Sequence, residues 1–154
     1  MSRTSFSAVA LLACLVLSGC CSFEREWRNC QSYAQDSDGL AGCWEGTWLS
    51  DYNGHNGRLR AVITKQDEHT YHANFKATYW GFIPFQFDLP MHVQEHEDGT
   101  SFEGTIDLGL LAGGDFSYSG QADATQFSAN YQAAKDYGTF IMTRPGTCVD
   151  CNEE

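Results

Sequence analysis

From Gly42 to Arg144 the chain alternates apolar and polar residues with a period of two, interrupted at short intervals by turn-forming clusters. That period belongs to a strand, whose successive side chains face opposite sides. The opening segment, Cys43 to Asp51, puts Trp44, Gly46 and Trp48 on one face and Cys43, Glu45 and Thr47 on the other. Two indoles flanking a glycine imply a packed interior in which one backbone position stays bare for a bulky neighbour. Asn53-Gly54 and Asn56-Gly57 suit a hairpin, because both residue types tolerate positive φ.

The alternation continues through seven further segments. Leu59, Ala61 and Ile63 share a face, as do Tyr71, Ala73, Phe75, Ala77 and Tyr79. The fourth segment aligns Ile83, Phe85, Phe87, Leu89, Met91 and Val93. Pro84 and Pro90 lie on its other face, and their missing N–H groups predict a bulged or irregularly paired strand. Phe102 to Leu108, Phe116 to Gly120, Phe127 to Tyr131 and Tyr137 to Arg144 complete the series. Short strands joined by tight turns, each with one apolar face, predict an all-β antiparallel meander. A meander closes into a barrel or folds as a sandwich, and closure removes exposed strand edges. The expectation is an eight-stranded up-and-down β-barrel over residues 42–146. Its inward rows mix aromatics with Gly and Ala, which predicts a mostly filled interior.

Ahead of the barrel, residues 1–19 read as an export signal. Arg3 supplies the positive start, and the apolar run from Phe6 to Leu17 is too short to cross a bilayer. The run ends in Leu17-Ser18-Gly19-Cys20, which resembles the lipobox of bacterial lipoproteins: a large apolar residue, two small ones, then cysteine. The resemblance implies cleavage before Cys20 and acylation of that residue. More than one acyl chain anchors a protein stably without a membrane-spanning helix. It also implies an exported protein held in the bacterial cell envelope, at the outer membrane or a periplasmic face. The competing reading is a conventional signal peptide with Cys20 as a plain thiol. Residues 20–41 then form a tether, read as a solvated spacer with a helical turn or two from Phe23, and 147–154 an acidic, cysteine-containing tail. The net charge of −11 becomes −12 when Arg3 leaves with the signal. Such a charge argues against nucleic-acid partners and against electrostatic attraction to anionic lipid.

Gly42-Cys43-Trp44, or Gly46-Thr47-Trp48 one step later, resembles the Gly-x-Trp signature of lipocalins and the wider calycins. The second version is equally similar to the first strand of avidins. Arg144 is similar to the arginine that ends the last lipocalin strand and packs over that tryptophan. Bacterial lipocalins are also lipid-anchored. In a closed meander Arg144 reaches the Trp44 ring, a cation–π contact of about 1–2 kcal/mol when desolvated. The resemblance implies a carrier whose small apolar ligand sits against Trp44, Trp48, Tyr79 and Phe87, with Arg144 nearby.

Seven cysteines are present. Cys14 belongs to the signal and Cys20 to the anchor, which leaves Cys21, Cys30, Cys43, Cys148 and Cys151. In an oxidising compartment these predict disulfides. Cys43 opens the first strand and Cys148 follows the last, so closure predicts Cys43–Cys148, with Cys30–Cys151 joining tether to tail. Alternatively Cys148-Val149-Asp150-Cys151 is a metal or redox half-site, which needs two further ligands or a helix N-terminus beneath it.

Nothing in the chain assembles a catalytic constellation. His92-Val93-Gln94-Glu95-His96 has the letters of a zinc motif that works on a helix. On a strand His92 and His96 share a face while Glu95 points away. Glu103 and Asp107 share a face about 13 Å apart by strand rise, too far for a glycosidase pair. The reading is a non-catalytic protein without cofactor or metal. It is either a binding or scaffolding barrel for an envelope partner, or a carrier of one small apolar ligand.

Overall fold

The computed structural model describes residues 22–30, 39–107 and 114–146. Cys20, Cys148, Cys151 and the signal segment lie outside the described residues. Eight strands follow in order: β1 Gly42–Ser50, β2 Asn56–Lys65, β3 Thr70–Tyr79, β4 Ile83–His96, β5 Gly99–Asp107, β6 Asp115–Ala122, β7 Gln126–Ala133 and β8 Asp136–Thr143. Each pairs antiparallel with the next, and β1 pairs with β8, so the sheet is a closed up-and-down barrel. The closing register sets Gly46 against Met142 and Trp48 against Phe140. The inward rows read from the sequence are the rows that fill the core.

Gly46 must be bare, but its constraint is backbone rather than a bulky side chain. A Cβ there would lie 2.0 Å from the Ile141 carbonyl oxygen and 2.7 Å from the Met142 Cα. The glycine therefore permits the close approach of β1 to β8 on which closure depends.

The two ends of the barrel differ. β1 starts and β8 finishes at a sealed end, where Trp44 is fully buried and packs on Phe127 at 5.7 Å, itself stacked on Phe102 at 4.7 Å. Arg144 covers this plug with its guanidinium carbon 3.8 Å from the Trp44 ring centroid. The Trp44 indole N–H donates to the Leu40 carbonyl at 2.9 Å. The Arg144 guanidinium donates to the carbonyls of Ala41 at 3.0 Å and Cys43 at 3.3 Å, and also to Gly39. Its Nε reaches the Ala124 carbonyl at 3.4 Å, in the turn between β6 and β7. Burial pushes its pKa down to about 10, which still leaves a cation at neutral pH.

β4 pairs with β3 along its length, Tyr79 to Thr70 against Ile83 to His92. Among the described residues its ladder with β5 spans His92 to His96. The Val93 N–H donates to the His69 carbonyl, so odd-numbered amides of β4 turn towards β3. Even-numbered positions, including Pro84 and Pro90, therefore face the β5 side; Pro90 lies outside the described ladder, so its missing N–H forfeits no ladder bond there.

Two expectations need correction. Residues 22–30 form a helix, α1, and it is no solvated spacer. Phe23 and Trp27 are buried on the outer wall against Cys43 and Val62. Glu24 accepts hydrogen bonds from Arg60 at 2.6 Å and Lys76 at 2.7 Å, and Asn74 donates to Glu26 at 2.9 Å. The bond from Lys76 foremost, and then Arg60, holds the Glu24 carboxyl below its ordinary range. Secondly, Cys43 is bonded to Cys30, with Cα atoms 5.7 Å apart, so Cys43 is not available to Cys148 nor Cys30 to Cys151. The reason is sidedness. Trp44 points inward, so Cys43 points outward, towards the wall on which α1 lies.

Arg144→Met should lower unfolding stability by about 3 kcal/mol, because it removes the cation–π contact and leaves buried carbonyls unpaired. A urea titration checks this as a lower midpoint with an unchanged slope.

Candidate functional site: an aromatic cavity at the barrel mouth

At the opposite end, the mouth, the interior is not filled. A cavity of about 350 Å³ is lined by Trp48, Leu59, Ala77, Tyr79, Phe85, Phe87, Phe116, Tyr131, Asp136 and Phe140. The strands place these residues by simple parity. Leu59 faces Ala77 across β2 and β3, Phe75 faces Phe87 across β3 and β4, and Trp48 faces Phe140 across the closing seam. Alanine at 77 opposite bulkier neighbours leaves the room that the cavity occupies.

The walls are ordered by ring contacts. Trp48 stacks on Tyr79 at 5.7 Å and meets the edge of Phe85 at 6.4 Å. Its indole N–H is already spent on the Thr78 carbonyl at 3.0 Å, so it presents ring rather than donor to the cavity. Phe75 and Phe87 stack at 5.0 Å beneath, and Tyr131 stacks on Phe140 at 4.9 Å. The Tyr79 hydroxyl pairs with His55 Nδ1.

Asp136 is the one carboxylate in the lining. It starts β8, directly after the β7–β8 turn, and Ala133 pairs with it. Ser50 at the end of β1 donates to its Oδ1 at 2.5 Å, and the Tyr131 hydroxyl donates to its Oδ2 at 3.3 Å. Burial, with the Asp136 charge second, pushes the Tyr131 phenol well above its ordinary range. The carboxylate is therefore fixed in place and keeps lone pairs for a donor on a ligand.

Of the residues expected to bind a ligand, Trp48, Tyr79 and Phe87 meet in this cavity. Trp44 and Arg144 do not, because they form the plug at the sealed end. The sequence reading placed Phe85, Phe116, Tyr131 and Phe140 on inward rows without assigning them to a site. Asp136 was missed because it reads as half of a Lys-Asp turn, although it shares the inward parity of Gly138, Phe140 and Met142 on β8.

Deeper in, Tyr118 packs over Gly104, where a Cβ would lie 2.1 Å from the phenolic oxygen. Its buried hydroxyl has no hydrogen-bond partner among the described residues. Burial pushes this phenol up to about 12.

The outer wall carries the remaining polar candidates. A shallow hollow of about 790 Å³ crosses β4 to β7 and includes His92, Gln94, Ser101, Glu103, Ser119 and Asn130. Nearby, Glu95 turns to Lys65 at 3.8 Å and His96 to Ser101 at 2.8 Å. The His-x-x-Glu-His letters therefore fall on a strand end and assemble no common centre. No group of three or more His, Cys, Asp or Glu among the described residues could hold a metal ion.

Fold and site together define a small antiparallel barrel, plugged at one end and hollow at the other. No protein-family profile matches the chain. No curated protein matches it either. Among solved structures it is similar to a de novo designed fluorescence-activating β-barrel, with 15% sequence identity over 73% of this chain and 95% of that one, at a TM-score of 0.47. The barrel is established by its own strand pairing, independently of that likeness.

Tyr118→Phe should hold or raise stability by about 1 kcal/mol, since it deletes an unpaired buried hydroxyl. The native phenol keeps its proton to about 12, whereas the unfolded chain releases it near 10.0. Stability should therefore be fully present below pH 10 and fall as pH rises towards 12, and the variant should lose the Tyr118 share of that fall. Denaturant titrations at a series of alkaline pH values measure both effects.

Proposed function

We propose that this protein is a non-catalytic, lipid-anchored binding barrel of the bacterial cell envelope that holds one small apolar ligand at its mouth. The observation that carries the binding reading is the 350 Å³ aromatic cavity. Its volume lies at the low end of the range for small-molecule sites, which combine apolar walls with a few polar groups. Stacked rings favour a flat or unbranched apolar ligand, and Asp136 favours one with a hydrogen-bond donor at an end. A scaffolding role alone gives no reason to leave such a lumen open. The anchoring part rests on Leu17-Ser18-Gly19-Cys20 and its apolar lead-in.

The neutral apolar dye N-phenylnaphthylamine should gain fluorescence on binding and quench Trp48. Ala77→Trp, which fills the lumen, should weaken that binding at least about tenfold, or about 1.4 kcal/mol. Ser119→Ala on the outer wall should leave it unchanged. Equal binding by wild type and Ala77→Trp would sink the cavity reading. Cys20→Ser should move the protein from the membrane to the soluble fraction on fractionation, and retention on the membrane would refute the anchor.

A further inference from the structure

The mouth is surrounded by exposed apolar surface, most of it outside the cavity lining. Phe82 is 74% exposed, Tyr52 64% and Trp80 63%, and Ile83, Phe85 and Tyr137 are each more than 40% exposed. All six lie at the mouth end: Tyr52 in the β1–β2 turn, Trp80 to Phe85 around the β3–β4 turn, and Tyr137 at the start of β8. Trp80 adopts φ 51°, a left-handed conformation that a bulky residue rarely takes. The hairpin therefore presents this indole outward against local preference.

We propose that this rim is a membrane-docking surface, and that the barrel stands mouth-down with Trp80, Phe82 and Ile83 in the boundary between headgroups and acyl chains. Tryptophan and tyrosine suit that boundary, since one part of each ring is apolar and the other can meet water. The occupant is a phospholipid bilayer, and two features favour it over another protein surface.

First, the molecule is polarised. The sealed end carries Asp67, Glu68, Glu95, Glu97, Asp98 and Asp123, all exposed, which suits the side away from a lipid surface. The mouth has its own charges, Asp51, Asp107, Asp115, Arg58 and Lys135, so docking there depends on apolar burial and not on attraction to anionic lipid. Second, α1 points the right way. Glu24 sits at Arg60 and Lys76 in mid-wall, whereas Cys30 is bonded to Cys43 at the sealed end. The N-terminus of α1 is thus its mouth-side end, and Cys20 stands two positions before Ser22. This inference rests on the proposed anchoring at Cys20 for its orientation, goes beyond ligand binding, and stands whether or not the cavity is filled.

Trp80 supplies the test, because Trp27, Trp44 and Trp48 are each 5% exposed or less. Full-length protein purified from membranes is reconstituted into phosphatidylcholine vesicles with brominated acyl chains. Tryptophan emission should fall relative to unbrominated vesicles. The fall should be largely lost in Trp80→Phe and return in Trp80→Phe/Phe82→Trp, which moves the indole along the rim and serves as the folding control. Emission unaffected by bromine but quenched by aqueous acrylamide would overturn the proposal. An indole shielded from both quenchers would overturn it in favour of a second copy of the chain over the mouth. Failure of the protein to remain on the vesicles would overturn it too.

Discussion

The Arg144 guanidinium, 3.8 Å above the Trp44 ring, joins the two ends of the chain's β-structure. A meander of eight strands has only one way to lose its edges, and that is to bring β8 back to β1. The interaction that fixes the return has to reach residues from both. Arg144 follows β8, donates to the backbone on either side of Gly42, and also touches the turn before β7. A cation in a largely apolar interior is costly unless its donors are satisfied. Here backbone carbonyls and an indole face take that role, so the plug is stable only in the closed arrangement. Gly46 is the complementary requirement, since any side chain there would strike the backbone of β8.

The plug fixes a polarity from which the candidate site follows. At the sealed end Trp44, Phe127 and Phe102 pack directly on one another and leave no room. At the mouth the rings lie flat against the wall in stacked pairs, and Ala77 leaves space between them. Trp44 and Trp48 show the division most clearly. They share a face of β1, but four residues of strand separate them by about 13 Å. One indole is therefore a structural plug and the other a cavity wall.

Register was legible because a period of two is a local property, and a slip by one residue would expose every inward aromatic. The grouping of Trp48, Tyr79 and Phe87 was legible for the same reason. Part of what failed depended on information that alternation does not carry. Position along the axis separates Trp44 and Arg144 from the ligand cavity, and face parity alone cannot reveal it. The cysteine expectation used axial proximity and ignored sidedness, although the outward direction of Cys43 was implied by the inward direction of Trp44. Phe23, Trp27 and Cys30 do form a stripe at helical spacing. Its landing site, Val62 beside Cys43 on the outer wall, becomes visible only once β1 and β2 are paired. Asp136 was hidden because a charged residue next to a turn is ordinarily solvated, whereas Ser50 and Tyr131 draw this one to the lumen.

Cavity and rim also constrain one another physically. An apolar lumen open to water gains from any apolar occupant, and a rim of exposed aromatics gains from any apolar surface. Were the mouth to face bulk water, both would remain exposed, and the −11 charge of the chain would be the main guard against self-association. Facing a bilayer, the rim is covered and the lumen opens on a phase where apolar molecules are concentrated. A ligand then transfers from one low-dielectric environment to another, so solvophobic drive alone contributes little to its selection. Discrimination has to come from ring geometry and from the polar group that the lumen can satisfy, which is the Asp136 carboxylate held by Ser50 and Tyr131. On that argument the single acid in the lining is what distinguishes a chosen ligand from the surrounding acyl chains.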